Sequence, residues 1–380
     1  MSEVSTITAG SKRFFFLDNL KAFIICLMIV FHIAMSYMQY APEWWYAVDK
    51  SDPQLSFTMF VVWADIFIMP VMFFVSGYFG IMSMSRQTAK KFWISKLIRI
   101  FIPWVLGVLI LSPAVTYLIF ATRHVPLPFM EFLNKVFFFG PLFSHTQYWF
   151  LGTLFYLYIL LFLVVKIKPA IKERLNPAEP GKPFFLIVAV LSYALTVGAY
   201  YLVGGNNDNW SKVWPIFLYQ PTRISLYIIY FFAGVYAWRK QWFTEKGFKL
   251  DPTLWIPAFI FTGVFYTGYT FFGQATATPV TFMVVKSALH SLFAMSSVFG
   301  LLALFQAKLD YTNGFMKAIS DNSYAMYYAH MGLVMLVVWA LMGMSLPVYV
   351  KYILACALGL IFTYVVGRIL MFLPFFAPRK

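Results

Sequence analysis

Charge is what this sequence has least of. Only 11% of its 380 residues are charged, against 61% hydrophobic and 21% aromatic. Soluble domains carry about 25% charged residues, so a water-soluble globule of this size could not be coated, and lipid must solvate most of it. Acidic residues are scarcer still, 14 against 29 Lys and Arg, for a net charge of +15. Such an excess can mean nucleic acid, but these basic residues lie between apolar runs and form no stripe or arm. The two cysteines, Cys26 and Cys356, both fall inside apolar runs. That excludes a disulfide framework and a cysteine-based zinc site, and the spacing offers no other metal site. The sequence also shows no low-complexity tract, no internal repeat and no soluble extension. The first apolar run, about Phe14 to Tyr40, is too long for a signal-peptide core and lacks a small-x-small cleavage site. It reads as a retained first membrane helix.

What remains is apolar runs. A spanning helix needs about 20 mostly apolar residues. Ten runs qualify, at about 19–40, 57–83, 100–121, 147–165, 184–203, 214–237, 254–273, 281–306, 323–343 and 346–371. The sequence therefore predicts an all-α, polytopic membrane helix bundle of about ten transmembrane helices. One membrane domain, 14–373, is expected between a cytoplasmic N-terminal segment, 1–13, and a cytoplasmic tail, 374–380. With the N-terminus inside, only Lys50, Arg123, Lys135, Lys212, Arg223, Lys286 and Lys351 of the 29 basic residues fall on the outer side. That bias places both termini in the cytoplasm, and an even helix count agrees. The expected location is the cell (inner or plasma) membrane.

Ionisable side chains within a bilayer are costly, so each is a functional candidate. They are few: His32, Asp65, His290 and His330 within runs, and Lys21, Arg99, Arg223, Lys286 and Arg368 near run ends. At 100° per residue, Lys21 and His32 lie about 20° apart around the first helix and about 16 Å apart along it. Asp18 falls about 40° to the other side of His32. A charged foot and a deep imidazole on one face suggest a cavity entered from the cytoplasm. A snorkelling Lys, with a His bonded to a neighbouring helix, would give the same pattern. Asp65 is expected at a similar depth to His32, about 12 Å below the outer end. There it could orient the imidazole, as carboxylates do in other acyl-transfer sites, or bond a Trp, a Tyr or water instead. Ser76, Gly77 and Tyr78 end the second run with small residues that admit a helix or a ligand. Lys96 and Arg99, spaced i,i+3 at a helix start, suit a phosphate group, although cytoplasmic loops are basic in any case. Tyr327 and His330 share a helix face and suit either a substrate contact or a structural hydrogen bond. His290 has no local partner and reads as structural. Trp149 sits near a predicted interface, where a belt residue is expected.

Several short segments then combine: Phe16-Leu17-Asp18-Asn19-Leu20-Lys21 through His32, Phe73-Phe74-Val75-Ser76-Gly77-Tyr78-Phe79, Lys96 to Pro103, Tyr148-Trp149-Phe150-Leu151, and Ser323-Tyr324 through His330. In this order the chain resembles the acyltransferase-3 superfamily of integral membrane acyltransferases. It looks like the stand-alone members of the glucan biosynthesis protein C type. The family has a basic residue, ten residues, then a His on its first helix. Lys21 stands where Arg is commoner, and His32 takes the catalytic position. Lys96 and Arg99 match the family's basic pair, with Lys first, and Lys is not equivalent to Arg at a bidentate phosphate site. Many members carry a fused extracytoplasmic hydrolase-like domain, and none is expected here.

The resemblance implies a membrane O-acyltransferase. Cytoplasmic acyl-CoA, a co-substrate rather than a bound cofactor, would give an acetyl or succinyl group to a hydroxyl of an envelope glycan. His32 would act as general base or accept the acyl group itself, with Asp65 beside it. Asp18, Lys21, Lys96 and Arg99 would hold the CoA end, and Ser76, Tyr78, Trp149, Tyr327 and His330 would complete the substrate site. The competing class is a transporter or flippase of a glycan or small solute, using the same buried His, Asp and Tyr groups without covalent chemistry. A non-catalytic partner in a glycan-export complex is a third reading. Dependence on acyl-CoA separates the enzyme from both.

Overall fold

The computed structural model describes residues 14–177, 179–204, 209–213 and 215–377. The expected N-terminal segment, 1–13, and residues 378–380 of the expected tail lie outside them. Helices dominate because lipid offers backbone polar groups no other partner. In chain order they are α1 (Phe15–Ala34), α2 (Leu55–Ala64), α3 (Ile68–Arg86), α4 (Ala89–Ala121), α5 (Trp149–Ile167), α6 (Lys182–Leu202), α7 (Pro221–Arg239), α8 (Pro252–Phe272), α9 (Pro279–Lys308), α10 (Gly314–Met342) and α11 (Val348–Leu370). A two-stranded hairpin, Ser211–Val213 with Phe217–Tyr219, precedes α7. Among the described residues, nine helical stretches are long and apolar enough to cross a membrane, with α2 and α3 counted as one. The tenth expected crossing is α7, less apolar because Arg223 and Arg239 lie in it.

Glycine holds α7 in the bundle. A Cβ at Gly77 of α3 would sit 1.9 Å from the Phe231 carbonyl oxygen, and one at Gly234 of α7 would sit 2.0 Å from that of Phe74. The two backbones touch, and only glycine allows it. The small-residue end of the predicted second run therefore serves helix contact.

Prolines set the interruptions. The predicted run 57–83 breaks between Ala64 and Ile68. Pro70 has no N–H, and its ring would meet the carbonyl of Ile66 in a continuous helix. Helix α4 begins at Ala89, well before the expected residue 100, with the Thr88 hydroxyl accepting from the Lys91 N–H at 3.4 Å. It contains two π turns, Leu97–Phe101 and Gly107–Leu111, where the N–H groups of Ile102 and Ser112 reach back to Leu97 and Gly107. Pro103 and Pro113 follow these turns, and each removes the N–H that a regular helix would supply four residues back.

Both ends of the described chain meet at one end of the bundle. Asn19 donates to the carbonyls of Leu309 and Tyr311 at 2.8 Å each, and Phe16 N–H donates to Asp310 at 3.2 Å. The Arg99 guanidinium donates to the Ala377 carbonyl at 2.7 Å, and the nearby Phe376 ring is buried against Tyr324 and Tyr328. The far end is closed by the loop 38–54. Arg123 bonds its Glu43 and Trp45 carbonyls, and Lys351 bonds its Asp49 carboxylate at 2.8 Å.

Candidate active site

Two histidines from opposite ends of the sequence meet inside the bundle. His32 comes from α1 and His330 from α10, and His32 Nδ1 lies 3.0 Å from His330 Nε2. The two rings tilt by 24°, with centroids 5.0 Å apart. His330 is fully buried, and its Nδ1 lies 2.6 Å from the carbonyl of Tyr327. The Tyr327 hydroxyl donates to the Gln147 carbonyl at 2.6 Å. Gln147 and Tyr148 in turn donate to the Tyr328 carbonyl at 3.3 and 2.9 Å. His32 keeps partial accessibility. One of its faces lies near the Trp45 ring, at 5.7 Å and 19°, and Trp45 is held by its indole N–H donating to Ser36 Oγ at 3.1 Å.

At the other end of α1 is a cavity of about 410 Å³. Lys21, Arg86, Lys96 and Arg99 line it, with Phe79 and Ser83. Four cations at one cavity make a site for an anion. Lys21 also pairs with Asp18 at 2.8 Å and lies over the Phe79 ring. Lys96 is buried, with its ammonium 4.0 Å from the Tyr158 ring centroid. Lys96 and Arg99 lie about two turns inside α4 rather than at a helix start, so these side chains, not helix N–H groups, supply the positive charge. Asp18 lines a smaller cavity of about 270 Å³ beside Asn19, Lys317 and Ser320.

The expected pairing of Asp65 with His32 does not form. Asp65 ends α2 at the Pro70 break, and its carboxylate binds the Arg223 guanidinium. A buried cation needs a counter-charge more than a neutral imidazole does. Trp149 also lies elsewhere, with its ring against Trp210 and against Tyr227, one turn beyond Arg223. The Tyr78 hydroxyl donates to the Trp242 carbonyl at 3.4 Å, within an aromatic cluster with Phe14 and Phe243. The Ser76 carbonyl accepts from Tyr158 at 3.3 Å. Ser76, Tyr78, Trp149 and Asp65 are thus not gathered with His32, whereas Tyr327 and His330 are.

Sequence reasoning left out Trp45, Gln147 and Arg86 as site residues. Arg86 is one of several basic residues between apolar runs, and Trp45 is one of several tryptophans near run ends. Neither carries a periodic signal that separates it from the others.

A protein-family model described as an acyltransferase domain matches residues 14–369. Among curated proteins, the glucans biosynthesis protein C of Escherichia coli O1:K1 / APEC is 33% identical over 102 residues, which is 27% of this chain and 26% of that protein. Those of Escherichia coli O139:H28 (strain E24377A / ETEC) and O157:H7 (strain EC4115 / EHEC) match to the same extent. The match thus spans about a quarter of the length of these relatives. No solved structure matches.

Proposed function

The chain belongs to the acyltransferase family, and we propose that it moves an acetyl or succinyl group from cytoplasmic acyl-CoA to a hydroxyl of an envelope carbohydrate, in the cell (inner or plasma) membrane. One observation carries the reading. The helix that presents His32 to the interior also brings Lys21 to a cavity lined by four cations. A donor with a phosphate-bearing end, a long flexible arm and a terminal thioester suits that arrangement. The cations take the phosphates, and the arm follows α1 towards His32, about 16 Å away.

In the transfer, the acceptor hydroxyl oxygen attacks the thioester carbonyl carbon while His32 takes the hydroxyl proton. The C–S bond then breaks, and the departing sulfur takes that proton from His32. The products are an ester and free CoA thiol, and the imidazole returns to its neutral form. The similarity to the glucans biosynthesis protein C of Escherichia coli supports a carbohydrate as the acceptor.

Thiol release from acetyl-CoA and succinyl-CoA tests the reading, with the purified protein in nanodiscs and envelope glycan extract as acceptor. Release should need the acceptor and disappear in His32→Ala with the fold intact. A well-folded wild type that binds neither CoA ester and releases no thiol would sink it and turn attention to transport.

A further inference from the structure

The two histidines leave few ways to arrange their protons. The Tyr327 carbonyl can only accept, so the 2.6 Å contact to His330 Nδ1 requires a proton on that nitrogen. A neutral imidazole carries one N–H, so His330 Nε2 presents a lone pair. His32 Nδ1 faces that lone pair at 3.0 Å. Two lone pairs at this distance would repel, so the proton between the rings belongs to His32 Nδ1. The neutral state is the consistent one. His330 is fully buried, and among the described residues neither ring has an acidic partner within salt-bridge distance.

The frame behind this arrangement is rigid. Tyr327 is tied to Gln147 through its hydroxyl, and its ring packs on Phe150 at 5.6 Å. His330 therefore cannot turn without breaking a buried bond. Trp45 lies against one face of His32, a backbone hydrogen bond to Met28 one turn earlier on α1 helps fix the ring, and His330 stands at Nδ1, so that among the described residues Nε2 is the ring nitrogen with no side-chain partner.

We propose that His330 is a positioning residue that holds the proton of neutral His32 on Nδ1 and so makes Nε2 the nitrogen that takes the acceptor's proton. The step balances. The hydroxyl proton moves to His32 Nε2 as the C–O bond forms, giving an imidazolium whose Nδ1–H still donates to His330. That bond becomes charge-assisted and stronger at the moment of transfer. The same Nε2 proton then passes to the departing sulfur, and His32 returns to its starting tautomer. His330 stays neutral throughout. The catalytic part of this inference rests on the acyl-transfer reading above. The tautomer part does not.

The test uses the full chain in nanodiscs, labelled with 15N-histidine, because ring 15N shifts separate protonated from bare nitrogens. Wild-type His32 should show a protonated Nδ1 and a bare Nε2 near neutral pH. His330→Ala should mix the two tautomers and lower kcat for transfer at least about tenfold, with the KM for acyl-CoA unchanged. His330→Gln, which can place an acceptor oxygen near the lost Nε2, should restore both the tautomer and most of kcat. A wild-type His32 protonated on Nε2 would overturn the proposal without any variant, and so would an unchanged tautomer and kcat in His330→Ala. If His32 shows the expected tautomer and no acceptor is acylated, the acyl-transfer reading fails and the positioning stands.

Discussion

The hydroxyl of Tyr324 donates to the carbonyl oxygen of Arg99, the carbonyl that Pro103 leaves without its helical N–H. This bond joins the helix that carries two of the cavity's four cations, Lys96 and Arg99, to the helix that carries His330. Tyr324 sits one turn before Tyr327, with the two rings nearly parallel at 6.4 Å. A shift of α4 at the cavity would therefore be felt close to the histidine pair.

Tyr324→Phe removes a hydroxyl from which this partly buried carbonyl accepts. The expected cost is about 1–3 kcal/mol, read as a lower thermal midpoint in detergent. Calorimetric titration should also show weaker acyl-CoA binding, because the backbone of Arg99 loses one of its ties. An unchanged midpoint with unchanged affinity would mean that the bond couples nothing.

Two glycine substitutions separate packing from helix propensity. Gly77→Ala places a methyl against the Phe231 carbonyl and should destabilise by about 1–3 kcal/mol or more. Gly198→Ala on α6 meets nothing within 4 Å and should be neutral or stabilising by about 0.4–1 kcal/mol. If both moved the midpoint alike, the close approach of α3 and α7 would be wrong.

Asp49 and Lys351 are both almost fully buried. Burial alone pushes the Asp49 carboxyl up, but hydrogen bonds from Lys351 and Ser51 outweigh it and leave the group below the usual carboxylate range. Its stabilising contribution is thus complete above the ordinary aspartate value of about 3.9 and is lost as pH falls through the lower folded value. Lys351→Met strands the carboxylate and should cost about 3–5 kcal/mol. Adding Asp49→Leu should recover most of that loss, and a double variant as unstable as the single one would refute the pairing.

His145 has the opposite charge logic. Burial pushes its imidazole below the usual value, partly opposed by its bond to the Pro215 carbonyl. As pH falls below about 6.5, the unfolded chain takes up a proton that the folded chain does not. Stability should therefore decline on acidification, by at most about 1.4 kcal/mol per pH unit. In His145→Gln that part of the slope should vanish, and midpoints measured between pH 5 and 7.5 would reveal whether it does.

Periodicity along single helices was legible, while partners across helices were not. Lys21 and His32 share a stripe by spacing alone, and the structure places Lys21 at the four-cation cavity and His32 against His330. Tyr327 and His330 share a face by the same rule. Depth was the only argument for joining Asp65 to His32. It failed because Pro70 ends the helix at Asp65, where the carboxylate meets Arg223. The segment around Ser76 and Tyr78 was legible as small residues that admit a helix or a ligand, and only the structure shows that Gly77 admits a helix, α7.

The sequence by itself determined the solvent, the helical class and the candidate charges, because scarcity of charge and lengths of apolar runs are local properties that lipid reads directly. Only the tertiary structure decided that His32 meets His330, 298 residues away, and that four cations converge at one cavity. In lipid no apolar helix face outranks another by hydrophobicity. Pairing is set by close packing at residues such as Gly77 and Gly234 and by the breaks that proline imposes.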